Sequence, residues 1–179
     1  MEKGLHPAGL RIAVTGPEST GKSTLCAGLA PEFGGTHVKE YARDFQMKHG
    51  VESSLEEIVH MAETQFALNT QHSRKPLFCD TEMANFMIWT DEAFGEVPAS
   101  IQRLWDLQSF DLVLICAPDI PWESDALRLL PEAREHLFDR FCELYQSAAR
   151  PFHIVSGKNN ARWESAQRII EENFCGRSI

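Results

Sequence analysis

One stretch constrains this chain more than any other: Gly16-Pro17-Glu18-Ser19-Thr20-Gly21-Lys22-Ser23-Thr24-Leu25, which satisfies G-x-x-x-x-G-K-[ST] at every fixed position. Its flanks decide between a phosphate loop and a chance glycine turn. Before it, Leu10-Arg11-Ile12-Ala13-Val14-Thr15 is short and mostly apolar, the composition of a strand buried in a parallel sheet. After it, Leu25, Cys26 and Leu29 fall on one side of a run of good helix formers, so a helix opens at Lys22 and ends near Pro31. Strand, loop and helix in that order aim unbonded helix-start amides at an anion. Gly16 and Gly21 let the backbone approach phosphate oxygens, with Glu18, Ser19, Thr20 and Thr24 completing the loop around ATP. Lys22 is expected to reach the β- and γ-phosphates and the Ser23 hydroxyl to ligate Mg²⁺. Glu18 puts a negative charge among phosphates, so it is expected to point outward or to meet Mg²⁺-bound water or substrate.

The rest of the chain repeats the alternation of strand and helix. Gly34-Gly35 breaks the chain before a weak strand, Thr36 to Lys39, which runs into the charged cluster Glu40-Tyr41-Ala42-Arg43-Asp44. Ser53-Ser54-Leu55-Glu56-Glu57 offers two overlapping capping boxes, and Leu55, Ile58, Val59, Ala62 and Phe66 follow at helical spacing to about residue 72. Leu77-Phe78-Cys79-Asp80 is a short apolar run closed by a carboxylate, with Thr81-Glu82 and another helical stretch behind it. Residues 98 to 110 read as a helix and Asp111 to Cys116 as the clearest strand. A charged segment, 119–131, is bracketed by prolines. A helix from Glu132 then carries Leu137, Phe138, Phe141, Leu144 and Tyr145 on one face, Phe152 to Ser156 is a strand, and Asn160 starts the last helix. The expected architecture is α/β: a three-layer α/β/α P-loop fold of nucleoside-kinase type on a five-stranded parallel sheet. All strand carboxyl ends then meet along one edge, where the active site belongs.

Composition narrows the function. The 179 residues fit a single domain, 1–179, with 1–9 expected to be flexible. No apolar run approaches the ~20 residues of a membrane span, and Met1 to Pro7 lacks the apolar core of a signal peptide, which places the chain in the cytoplasm. Cys26, Cys79, Cys116, Cys142 and Cys175 are widely spaced and read as buried thiols. A net charge of −9 argues against nucleic acid and favours small-molecule substrates, while leaving room for a local positive pocket.

Other charged residues divide between chemistry and ordinary surface. Asp80 at a strand end stands where phosphate-loop proteins put the acid that serves Mg²⁺, although Asp80 and Thr81 are also good helix caps. Glu82 fits either task. Glu40 or Asp44 can accept the proton of an acceptor hydroxyl, or be no more than a solvated turn. Arg128 and Arg134 suit a lid, 119–131, closing a guanidinium over the transferring phosphoryl group; an amphipathic helix end explains them as simply. Trp89, Trp105, Trp122 and Trp163 read as core or lid anchors, Trp122 alone having a loop setting suited to stacking.

Taken together, Gly16 to Ser23, Glu40-Tyr41-Ala42-Arg43, Asp80-Thr81-Glu82, and Pro118-Asp119 with Asp125-Ala126-Leu127-Arg128 resemble one family. It is the ribosylnicotinamide kinase domain of the bifunctional nicotinamide-nucleotide adenylyltransferase regulators, and the likeness runs from about residue 10 to about residue 174. The resemblance implies a kinase that uses ATP and Mg²⁺ to phosphorylate the 5′-hydroxyl of nicotinamide riboside, with Lys22, Glu40, Arg128 and Arg134 in catalytic roles and Ser23 and Asp80 at the metal. Nothing before residue 10 has the length of an adenylyltransferase or a DNA-binding helix-turn-helix, so only the kinase part is expected. Two other readings keep the phosphate loop: a kinase for another nucleoside or small metabolite, and a nucleotide-dependent regulatory ATPase module. The sequence leaves the oligomeric state open.

Overall fold

The computed structural model describes residues 9–122 and 133–174. The sheet has five strands: β1 (Arg11–Thr15), β2 (Thr36–Val38), β3 (Leu77–Asp80), β4 (Leu112–Cys116) and β5 (His153–Val155). They pair in the order β2-β3-β1-β4-β5, parallel throughout. Among the described residues seven helices accompany them: α1 (Lys22–Glu32), α2 (Tyr41–His49), α3 (Leu55–Asn69), α4 (Met83–Phe94), α5 (Ala99–Leu107), α6 (Arg134–Ser147) and α7 (Asn160–Phe174). The doubly covered sheet read from the sequence is therefore present.

Strand alternation sorts the two core layers. Ile12, Val14, Leu112, Leu114 and Cys116 face α1 and α7, where Leu25, Leu29, Ala166 and Ile170 complete one cluster. Ala13, Val113 and Ile115 face the other way, toward Ile58, Met61, Met83, Phe86, Ile101, Phe141 and Tyr145 of α3 to α6. Continuous apolar strands are what burial on both faces requires. The register sets Val14 beside Asp80 and Thr15 beside Ile115, so the residues that leave β1, β3 and β4 emerge side by side.

Three local readings change. The cluster after β2 is not a loop: Glu40 is the cap position of α2, and Tyr41 already begins the helix. The helix predicted over 98–110 is shorter, Ala99–Leu107, because Gln108 turns inward to bond the start of α4. On α3 the capping box forms at Ser54 and Glu57, but the buried stripe is Ile58, Met61, Ala62, Gln65 and Asn69. Two amides occupy the stripe that continues Ile58 and Ala62, while Val59 and Phe66 sit at its margin. Among the described residues no helix is long and apolar enough to cross a membrane.

Candidate active site

The loop between β1 and α1 is built by backbone necessity. Gly16 has φ 127°, and a Cβ there would lie 2.8 Å from the Cys116 carbonyl oxygen of β4, so only glycine fits. Ser19 at φ 55° and Gly21 at φ 78° complete the turn that brings the chain onto the helix axis. Among the described residues no side chain caps α1, and no acid sits in its first turn, so its leading amides and dipole are turned to the cleft that residues 21–24 line. Lys22 is 9% exposed and folds back to donate to the Pro17 carbonyl at 2.7 Å, which also accepts the Thr20 hydroxyl at 2.8 Å. The loop thus holds its own cation in place. Ser23 and Thr24 are exposed at the same helix start.

Two arginines fasten this loop from outside. Arg134, at the start of α6, donates to the Ser19 carbonyl at 3.2 Å and to the Ile120 carbonyl at 3.0 Å, with its guanidinium 5.6 Å from the Trp122 ring centre. Arg162 of α7 is buried and gives its guanidinium to the carbonyls of Thr20 (3.1 Å), Ala117 (2.8 Å) and Gly157 (3.0 Å), and to the Asp119 carboxylate. It ties the loops after β1, β4 and β5 together. Nothing in sequence spacing marks Arg162; a cation amid the apolar positions of an amphipathic helix is the one available hint.

In front of the loop lies a cleft of about 320 Å³. Residues Pro17 to Thr24 form one end. The far wall comes from α2, α4 and α6: Glu40, Arg43, Asn85, Trp89, Leu137 and Phe141. Trp89 is half-buried, packing at 6.3 Å between ring centres on Phe86 while lining the cleft, so it is both core anchor and wall. The sequence marks Trp89 as a core or lid anchor but not as a cleft wall, and does not mark Asn85 at all, because the wall is assembled from segments with no contiguous pattern.

Asp80 closes β3 behind the loop rather than lining the cleft. It is 2% exposed, its Oδ2 lies 3.6 Å from His37 Nε2, and its Oδ1 accepts no hydrogen bond from the described residues. Thr81 follows with φ 79°, an outlier for a β-branched residue, fixed by its own amide on the Val14 carbonyl at 3.0 Å. Glu82 takes the capping task with one oxygen: its Oε2 accepts the Ala84 amide at 2.7 Å and Gln108 Nε2 at 2.8 Å. Complete burial pushes the Glu82 carboxyl up from the ordinary carboxylate range, against those two hydrogen bonds.

The structure thus gathers Glu18, Ser19, Thr20, Gly21, Lys22, Ser23 and Thr24 with Glu40 around one cleft, leaves Gly16 against the Cys116 backbone of β4, has Arg134 on the Ser19 carbonyl, and leaves Asp80 buried at the neighbouring strand end. Arg128 and most of the predicted 119–131 lid lie outside the described residues.

The AAA-domain family matches residues 11–162. Among curated proteins, the trifunctional NAD biosynthesis/regulator proteins NadR of Salmonella typhimurium and Escherichia coli are each 33% identical over 128 residues, 66% of this chain and 31% of theirs. The chain therefore spans about a third of the length of those relatives. Among solved structures, a NadR protein in complex with NR superposes with a TM-score of 0.78 at 18% identity, over 94% of this chain and 52% of the other. A deoxyadenosine kinase from M. mycoides superposes at 0.63 and 17%, over 92% and 98%.

Proposed function

The chain belongs to the AAA-domain family and is similar to ribosylnicotinamide kinases, and from that premise we propose that it transfers the γ-phosphoryl group of ATP to the 5′-hydroxyl of nicotinamide riboside. One observation carries the reading: a single cleft is lined both by residues 17–24 of the phosphate loop and by Glu40, Arg43, Asn85 and Trp89. That is the arrangement a two-substrate phosphotransferase needs, since catalysis of this reaction rests on positioning and charge.

In the proposed reaction Lys22 exchanges the Pro17 carbonyl for phosphate oxygens. Glu40 accepts the proton of the acceptor hydroxyl as its oxygen bonds to the γ-phosphorus, and the bond to the bridging oxygen breaks to release ADP. Arg128, by family resemblance, offsets the charge of the transferring group, while Arg134, held on the Ser19 and Ile120 carbonyls, steadies the phosphate loop and would have to leave them to share that task. The residues suit Mg²⁺ as well: Asp80 offers a buried carboxylate oxygen lacking a donor, and Ser23 an exposed hydroxyl at the loop's end. Among the described residues no cluster of three or more His, Cys, Asp or Glu could hold a metal alone, so the ion would arrive with the nucleotide's phosphates. It would neutralise charge on the β- and γ-oxygens. Trp89 lines the cleft, and a cationic pyridinium ring stacked on it would gain a cation–π contact worth about 0.5–2 kcal/mol. A relative that carries out NAD biosynthesis and a fold neighbour complexed with NR support the same acceptor.

The test is product formation from Mg·ATP across a panel of nucleosides with nicotinamide riboside included. Nicotinamide riboside is expected to give its 5′-monophosphate and stoichiometric ADP. ADP release with another acceptor alone would move the substrate and keep the kinase, and slow ATP hydrolysis indifferent to every acceptor would indicate a regulatory module. Asp80→Asn is expected to raise the Mg²⁺ needed for half-maximal turnover, and Lys22→Ala to weaken Mg·ATP binding by calorimetry.

A further inference from the structure

The sheet ladder between β2 and β3 ends at Val38 and Cys79, one and two residues short of the acids that matter, Asp80 and Glu40. Beyond that point the two chain segments are joined instead by two buried side-chain amides of α3. Gln65 Oε1 accepts the Tyr41 amide at 2.7 Å, and Gln65 Nε2 donates to the Lys39 carbonyl at 3.3 Å. These are the backbone groups on either side of Glu40. The same Nε2 donates to Asn69 Oδ1 at 3.0 Å, and Asn69 Nδ2 donates to the Thr81 carbonyl at 3.0 Å, on the residue next to Asp80.

We propose that Gln65 and Asn69 are positioning residues that couple the start of α2 at Glu40 to the end of β3 at Asp80, so that the acceptor-side and metal-side carboxylates are set as one unit. The proposal rests on the kinase reading for the roles of those two acids. Three features separate this pair from ordinary core filling. Both amides are buried, at 0% and 2% exposure, on a stripe otherwise made of Ile58, Met61 and Ala62, where an apolar side chain would pack as well. Each uses its oxygen as acceptor and its nitrogen as donor, so the polarity of the chain is fixed: turning the Gln65 amide over would set its NH₂ against the Tyr41 N–H. The partners also need holding. Glu40 makes no side-chain cap for α2, leaving Gln65 to cap that helix from another element. Thr81 stays at φ 79° only because its amide is taken by Val14 and its carbonyl by Asn69.

The decisive measurement is whether damage at one end is felt at the other. In Gln65→Met, which keeps the volume, the Thr81 amide is expected to exchange with solvent at least about fivefold faster, although its own bond to Val14 is untouched. In Asn69→Leu and the milder Asn69→Ser, the Tyr41 amide is expected to do the same. Kinetically, Gln65→Met should raise the Mg²⁺ requirement as well as the acceptor KM, and Asn69→Leu the acceptor KM as well as the Mg²⁺ requirement. Mg·ATP affinity, set by the phosphate loop, should hold in all of them. Effects confined to the mutated end, or loss of thermal stability with unchanged exchange and kinetics, would overturn the relay. A parent protein that phosphorylates no acceptor would overturn the kinase reading, and the exchange data would still judge the coupling.

Discussion

The two ends of the cleft are built by different means. The nucleotide end is a backbone object: positive-φ residues at 16, 19 and 21, a lysine folded onto its own loop's Pro17, and carbonyls of Ser19 and Thr20 gripped by Arg134 and Arg162. The proposed acceptor end is a side-chain object, contributed by α2, α4 and α6 and resting on the α3 amides. Each solution suits its ligand. Phosphate groups are alike in every nucleotide and can be met by amides whose geometry the turn fixes, whereas an acceptor is distinguished by shape and functional groups that only side chains can read.

The sharpest way to break the contrast is to strike each end once and ask which constant moves. Glu40→Gln is expected to lower turnover by about 10²–10⁴-fold, the usual worth of a positioned base, while Mg·ATP binds as before. Lys22→Ala is expected to cost about 10²–10³-fold in turnover, as for loss of one charge-stabilising donor, and to weaken Mg·ATP binding too. Steady-state kinetics with calorimetry separates the two. If Glu40→Gln left turnover intact while loosening ATP, the acceptor end would be part of the nucleotide site and the division drawn here would fail.

The same division explains what could be read from the chain. The phosphate loop was legible because its function is contiguous: ten successive residues, with a strand before and a helix after, specify it. Strand ends were legible for a similar reason, since buried strands such as Leu112–Cys116 stand out and Asp80 closes one directly. The acceptor wall was not. Asn85 and Trp89 look like ordinary members of an amphipathic helix, and only packing α4 against α2 and α6 turns them toward a cleft. Gln65 and Asn69 are hidden because the apolar spacing of α3 runs through Phe66, whereas the buried stripe continues from Met61 through two amides. Local propensity cannot see a partner that is distant in sequence, and Arg162, which bonds Thr20 across the fold, is the extreme case.

Arg162 also sharpens the comparison with a middle-sized effect. Its guanidinium joins the loops after β1, β4 and β5, and removing it would strand the buried carbonyls of Thr20 and Ala117 and free the half-buried one of Gly157. Arg162→Met, which keeps the stem, is expected to cost about 1–3 kcal/mol in unfolding free energy for such buried groups. It should raise the KM for ATP about tenfold, a loss of about 1.4 kcal/mol, and leave the acceptor KM unchanged. A matching rise in both constants would mean that the two ends share one scaffold, and the fold's two fastening systems would have to be treated as one.

The smallest effect concerns pH, and it belongs to the acceptor end alone. Glu82 caps α4, the helix that carries Asn85 and Trp89, and burial holds its carboxyl above the ordinary carboxylate range, while Thr15 and Tyr145 face it without closing full hydrogen bonds. Because the folded protein keeps this proton more tightly than the unfolded chain, the number of bound protons is larger in the native state throughout the window between the two pKa values. Stability then falls as pH rises through that window, with a slope of at most about 1.4 kcal/mol per pH unit from this group, and the favourable contribution is fully present only below the unfolded pKa. Glu82→Gln retains an oxygen for the Ala84 and Gln108 donors and removes the titration. Its stability relative to the parent is therefore expected to improve from acid toward neutral pH, and the acceptor KM of the parent to drift upward over the same range while the KM for ATP stays level. Denaturant melts and kinetics at matched ionic strength would check this. A flat difference between variant and parent would mean that the carboxyl keeps one protonation state throughout, and α4 would then be held against the cleft by packing on Phe86 and Met83 rather than by the charge state of its cap.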